Sequence, residues 1–338
     1  MNNIIIDKAK AVDIRLKGFI DEELPSGINL VNEIQKLKRQ KNAVILGHYY
    51  QEPEIQDIAD FVGDSLALSK VAQKTDKEII VFAGVHFMAE TAKIINPGKK
   101  VLIPDLKAGC SLADSCPSGE FKKFLEEHPD HKVISYINTS AEIKAMSDVI
   151  CTSSNAMDIV NSFHKDEKLI FAPDRNLGNY IAGITGREMI IWNGACHVHE
   201  EFSIERILDL KKEYPDAKII AHPECEKPVL IVADYIGSTQ ALLDFTIKDN
   251  GKTYIVATET GILHQMRKMN ENKFFIPAPP KDSTCGCSDC RFMKMITLKK
   301  LYICMKYELP EIILDNDIIM KAAYPINRML NISENIHR

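Results

Sequence analysis

A unit of about 87 residues recurs three times along this chain, and no other feature limits its fold as much. Each copy opens on a short apolar strand, at Ala43–His48, Lys132–Tyr136 and Lys218–His222. The strand-end residues His48, Tyr136 and His222 are 88 and 86 positions apart. A hydroxyl follows each of them at the same interval of 17, as Ser65, Ser153 and Thr239. Second strands at Ile79–Ala83, Lys168–Ala172 and Thr253–Ala257 close 35, 36 and 35 positions beyond the same markers. Third strands lie at Lys100–Pro104, Glu188–Trp192 and Lys273–Pro277. Short strands that are apolar throughout and alternate with helical patterns belong to parallel sheets covered on both faces. The expected fold is therefore α/β, with three pseudo-threefold-related α/β/α units carrying short parallel sheets around a central cavity. The copies set the units at 31–115, 116–200 and 201–290, between an N-terminal entry segment (1–30) and a C-terminal helical wrap (291–338). Within the wrap, Met293–Tyr307 reads as one apolar helix and Ile318–Leu330 as another, interrupted at Pro325.

After the third strand of each copy comes a cysteine, at Cys110, Cys196 and Cys290. The chain has nine cysteines and no export signal ahead of Lys10, so a disulfide framework is a poor reading and the cytoplasm the expected compartment. Ligands of parallel sheets sit at the carboxyl ends of the strands, and three such ends around one axis share a cavity. Three thiolates converging there suit a soft metal or an iron–sulfur cluster. Three protein ligands on a cubane leave one iron open to substrate, as three-ligand zinc sites leave a position open. The hydroxyls admit two uses. A hydroxyl ahead of a helix is an N-cap, and a helix start is also a socket for an anion. Composition narrows the partners. Lys plus Arg is 42 against Asp plus Glu 47, with no basic run, so nucleic acid is not expected. No apolar stretch approaches the roughly 18 residues of a membrane span. No phosphate-cradling glycine loop follows any strand, so no nucleotide cofactor is indicated.

Several stretches together resemble quinolinate synthase: Gly47–Gln51, Gly63–Ala67, Gly84–Lys93, Pro104–Ser111, Cys151–Asn155, Gly194–His199, His222–Cys225 and Met293–Leu298. The match runs in order from about residue 30 to residue 330. The resemblance implies an enzyme of NAD biosynthesis that condenses iminoaspartate with dihydroxyacetone phosphate, releasing phosphate and water. It implies a [4Fe–4S] cluster on Cys110, Cys196 and Cys290, whose fourth iron acts as a Lewis acid. It also implies substrate contacts at His48, Ser65, Tyr136, Asn138, Ser153, His222, Glu224 and Thr239, and a transient encounter with L-aspartate oxidase, which supplies the imine. Tyr50, Tyr136 and Glu224 are suited to moving protons, and His48 and His222 to donating to carboxylate. One departure is visible. The family often shows Cys-x-x-Cys-x-x-Cys, whereas this chain has Cys285-Gly286-Cys287 ahead of Cys290, too close a pair for an easy bridge. Cys287 stands as the alternative third ligand, and Pro277–Ser288 as the expected lid. Competing readings are a zinc lyase using His197 or His199, a four-ligand electron carrier, and the three-cysteine class that cleaves S-adenosylmethionine.

Overall fold

The computed structural model describes residues 8–282 and 288–336. It contains three parallel four-stranded sheets of the same order. The first sheet is built from β1 (Ala43–His48), β2 (Phe61–Gly63), β3 (Ile79–Ala83) and β4 (Lys100–Leu102), ordered β2-β1-β3-β4. The second has β5 (Lys132–Tyr136), β6 (Val149–Cys151), β7 (Leu169–Ala172) and β8 (Met189–Ile191), ordered β6-β5-β7-β8. The third has β9 (Lys218–Ala221), β10 (Tyr235–Ile236), β11 (Thr253–Ala257) and β12 (Phe274–Pro277), ordered β10-β9-β11-β12. Helices flank each sheet, so the chain is an α/β protein of three like units. In every sheet the central pair is first strand beside third in chain order, which puts the topological switch, and hence the ligand-binding crevice, at their carboxyl ends.

Each sheet has one strand more than the sequence patterns indicate. Strands β2, β6 and β10 are two or three residues long, too short for any periodic signal, and exist because a buried neighbour offers them a ladder. A repeated clamp fixes them. The carboxylate of Asp60 accepts from Ile45 N at 2.9 Å, that of Asp148 from Val133 N at 2.8 Å, and that of Asp234 from Ile219 N at 2.8 Å. In return the three aspartate N–H groups donate to Ile45 O, Val133 O and Ile219 O. Asp148→Ala leaves the Val133 N–H, in a buried strand, without its acceptor. The expected loss is about 1–3 kcal/mol of stability, read as a lowered denaturant midpoint, with most of it restored in Asp148→Asn.

Two further features differ from the sequence expectation. The stretch Met293–Tyr307 is not one helix. A 3₁₀ turn spans Met293–Met295, Ile296 is extended, and Thr297 caps a separate helix, Leu298–Tyr307, by accepting from Lys300 N. Pro325 does not interrupt the last helix, which runs unbroken over Asn316–Ile336. Ala322, Ile326, Met329 and Leu330 are buried on one side and hold both halves in line. The carbonyl that loses its donor belongs to exposed Lys321. No helix of the described residues is long and apolar enough to cross a membrane.

The core is unevenly shared. Most buried side chains of the first and second sheets, together with those of the last two helices, form one continuous apolar cluster, while Val133 and Ala172 of the second sheet pack into a small one with Cys116, Phe121 and Ile143. The third sheet packs with its own unit's helices into separate, smaller clusters, to which, among the described residues, only Tyr49, Tyr50 and Val62 come from the other units.

Candidate active site

The carboxyl ends of the central strands meet around one cavity. The first unit brings His48 and Tyr50 from the end of β1, Ser65, the apolar trio Val85, Phe87 and Met88 beyond β3, and Cys110. The second brings Tyr136 and Asn138 from the end of β5, Ser153, Cys196 and His199. The third brings His222 and Glu224 from beyond β9, Thr239, Glu259 and Cys290, with Met293 behind them. Every site residue expected from the sequence lines this wall. Cys285 and Cys287 lie outside the described residues, as does much of the expected lid.

The hydroxyls are not caps. Asp64 caps helix Ser65–Lys74 by accepting from Ala67 N, and Ser238 caps Thr239–Lys248 by accepting from Ala241 N. Helix Ala156–Asn161 starts two residues beyond Ser154, with Asn155 at the cap position. None of the three hydroxyls is used as a cap, and Ser65, Ser153 and Thr239 all line the cavity, Ser153 beside His222 and Thr239 beside the Tyr50 phenol.

The two strand-end histidines share one device. His48 Nδ1 accepts from Tyr50 N at 3.1 Å, and His222 Nδ1 accepts from Glu224 N at 3.3 Å. Burial drives both rings down to about 3, so they are neutral at pH 7. A neutral ring that accepts at Nδ1 carries its proton at Nε2. Both histidines therefore present an N–H donor without a charge, and that of His222 lies 3.1 Å from Ser153 Oγ.

Glu224 is the polar centre. It is 3 % exposed. Tyr136 donates its phenol to Oε1 at 2.5 Å, and His199 Nδ1 lies 3.0 Å from Oε2. Burial pushes the carboxyl up, but His199 beside it and the donated Tyr136 hydroxyl outweigh burial and hold it below the usual carboxylate range. Both phenols are pushed well above 10, by burial first and by Glu224 next. They are thus proton carriers kept in the protonated form.

The three thiols are half-buried and face one another across the wall. Burial raises Cys110 to about 12, Cys290 to about 11 and Cys196 well above its ordinary value. Negative charge on any one raises the others: Cys290 acts on Cys110, and both act on Cys196. Backbone N–H groups of Leu112 and Ala113, of His199, and of Phe292 and Met293 oppose this at the respective sulfurs. Three mutually repelling buried thiols ionise together only around a strong cation, so the donor set fits a thiolate-bound metal centre. A tighter set overlaps it, since one ligand atom each of Cys196, His199 and Glu224 falls within 4.8 Å of the others.

Other candidate ligands are placed elsewhere. His197 turns its Nδ1 to Ser111 Oγ at 2.6 Å, and His86 sits 3.5 Å from Glu90, which also accepts from Ala141 N. Cys116, Cys151, Cys225 and Cys304 are buried packing residues.

Sequence reasoning passed over the tips of β7 and β11. Two positions past each closing alanine lie Asp174 and Glu259, both fully buried acids. Glu259 accepts from Cys290 N at 3.0 Å and from Gly261 N at 2.7 Å. Burial lifts it to about 7 against the pull of Lys294, 3.1 Å away. Lys294 also donates to Tyr50 O at 2.9 Å, joining the first unit to the cysteine segment. Counting two residues past the strand in each repeat would have found these acids.

Comparison with known proteins agrees with this geometry. Residues 32–331 match the family model for quinolinate synthetase A protein (NadA). The chain belongs to this family. It is 58% identical over 309 residues to quinolinate synthase of Chloroherpeton thalassium, covering 91% of this chain and 96% of that protein. It is 60% identical over 309 residues to quinolinate synthase of Thermosynechococcus vestitus, covering 91% and 97%. It is 60% identical over 312 residues to that of Synechocystis sp., covering 92% and 97%. The matches cover 96–97% of these three relatives' own lengths, so the likeness takes in all three units.

Proposed function

We propose that this chain is a quinolinate synthase, condensing iminoaspartate with dihydroxyacetone phosphate to quinolinate, phosphate and water in NAD biosynthesis. The observation that supports it most is the meeting of one cysteine from each unit with uncharged N–H and O–H donors on one wall. Cys110, Cys196 and Cys290 would hold a [4Fe–4S] cluster, which supplies an iron free of protein thiolate as a Lewis acid toward substrate oxygen or nitrogen.

The remaining chemistry belongs to the side chains. The substrates bring two carboxylates and a phosphate, and His48, His222, Ser65, Ser153, Thr239 and Asn138 are donors spread around the cavity to receive them. Neutral donors suit this task, because they bind anions without forming a fixed ion pair that would hold the product. Ring formation requires protons to leave carbon and nitrogen and to return to departing oxygen. Tyr50, Tyr136 and Glu224 carry them. Val85, Phe87 and Met88 give the cavity a dry side, where water competes less with the amine–carbonyl condensation. We place the enzyme in the cytoplasm, receiving its imine, which water hydrolyses, from L-aspartate oxidase.

Anaerobic purification followed by iron, sulfide and zinc analysis, with a quinolinate assay, tests the reading. Iron and sulfide in equal amounts with quinolinate formed are the expected result. Stoichiometric zinc without sulfide overturns the cluster and moves the metal to Cys196, His199 and Glu224.

A further inference from the structure

Substrates with two carboxylates and a phosphate would enter a cavity whose lining has no cation to meet them. Among the described residues that line it there is no lysine or arginine, while Asp64, Glu224 and Glu259 bring further acid groups. Lys294, close by, is matched by Glu259 at 3.1 Å. Lys144 is different. It belongs to helix Ala141–Ala145 and is 0 % exposed. Its ammonium donates to Thr139 O, one residue past Asn138 of the lining. It also stands 5.3 Å from the centre of the Phe87 ring, which lines the cavity, without lining it itself. No carboxylate of the described residues pairs with it. Glu90, the acid that acts on it most strongly, turns its oxygens to His86 Nδ1 at 3.5 Å and Ala141 N at 3.0 Å. Burial draws Lys144 down to about 8, against Glu90, Glu142 and Cys110, so most of it is still charged at pH 7. A buried ammonium without a matched carboxylate costs stability, and one kept beside a cavity points to a task there.

We infer that Lys144 is the fixed countercharge of the cavity, set behind its lining beside Phe87, where it offsets the charge of bound carboxylate and phosphate without touching either. The inference rests on the reading of the site as a quinolinate synthase. A cation in contact with one carboxylate would orient that group and hold the product by it. A cation set back by one layer acts on every anion in the cavity, because its effect falls only as the inverse of distance. A ligand atom that shifts by an ångström or two during ring closure then gains or loses little. Orientation is left to the neutral donors of the lining, and net attraction comes from the lysine. The bond to Thr139 O holds the charge in place, together with the turn that carries Asn138. At roughly 10 Å and an effective dielectric of about 20, one unit charge changes the affinity for one carboxylate on the order of tenfold.

The test is calorimetric binding of quinolinate, and of the analogue with one carboxylate replaced by a carboxamide, to the cluster-loaded enzyme and its Lys144→Met variant. The analogue has the same outline and one charge fewer. Methionine keeps an unbranched stem and removes the charge, and Lys144→Gln replaces it if that variant does not fold. Lys144→Met is expected to weaken quinolinate on the order of 100-fold and the analogue on the order of tenfold, so the preference for the dianion falls about tenfold. Wild-type affinity for quinolinate in Lys144→Met overturns the countercharge and leaves the functional reading standing. So does an equal loss for both ligands, which would mean that Lys144 serves only to hold Phe87 and the Thr139 turn. A wild-type enzyme that does not bind quinolinate overturns the functional reading as well.

Discussion

Cys110→Ser, Cys196→Ser and Cys290→Ser are each expected to lose the iron and sulfide that the wild-type chain retains on anaerobic gel filtration. A serine hydroxyl is a hard ligand with a far higher pKa than a thiol, and these positions already raise the thiols to about 12 at Cys110 and about 11 at Cys290. A hydroxyl there stays protonated and does not bind iron. Cys304→Ser is the control. Cys304 is more deeply buried and packs among Leu301, Met305 and the continuous core, away from the wall. Its replacement costs about 1–3 kcal/mol for a hydroxyl placed in apolar surroundings and leaves iron content unchanged. Full cluster in Cys290→Ser would transfer the third ligand to Cys287.

Glu224→Gln is expected to lower kcat by roughly 10²–10⁴-fold while iron and sulfide stay at wild-type levels. The amide has the same outline as the carboxyl and can still accept from the Tyr136 phenol. What it loses is charge and the capacity to hold a proton. Since burial opposes ionisation at this site and is overcome by His199 and the Tyr136 hydroxyl, the protein is arranged to keep a carboxylate there. Quinolinate formation within a few-fold of wild type would remove Glu224 from the proton chemistry. Loss of iron in this variant would instead make it a metal ligand.

Much of this was readable in the chain itself. The strands that begin each repeat could be placed because they are buried on both faces and mostly apolar, and β1, β3, β5 and β11 have the bounds expected of them. The strand-end residues followed from the repeat interval, and the cavity from the rule for parallel sheets. What escaped was non-local. Asp60, Asp148 and Asp234 repeat as faithfully as the histidines, yet an exposed acid in a turn signals nothing until its backbone partner is known. The caps at Asp64 and Ser238 differ from Ser65 and Thr239 by one residue, within the uncertainty of any helix start read from sequence. Glu259 follows an ordinary buried strand, and its importance comes from Lys294 and Cys290, which lie outside its own element. Pro325 was misjudged because the local penalty of a proline is smaller than the apolar burial on either side of it.

The separate packing of the third sheet gives the molecule an asymmetry that its threefold plan conceals. Parting the first two sheets would bare a shared oily interior, and that is close to global unfolding. Among the described residues the third unit's apolar clusters take in only Tyr49, Tyr50 and Val62 from the other units, and the junction is otherwise held by hydrogen bonds such as Tyr49–Gln240, Gln56–Gly261 and Tyr136–Glu224. Glu224, His222 and Thr239 lie on the third unit's side of that seam, so the wall is whole only while the seam is closed.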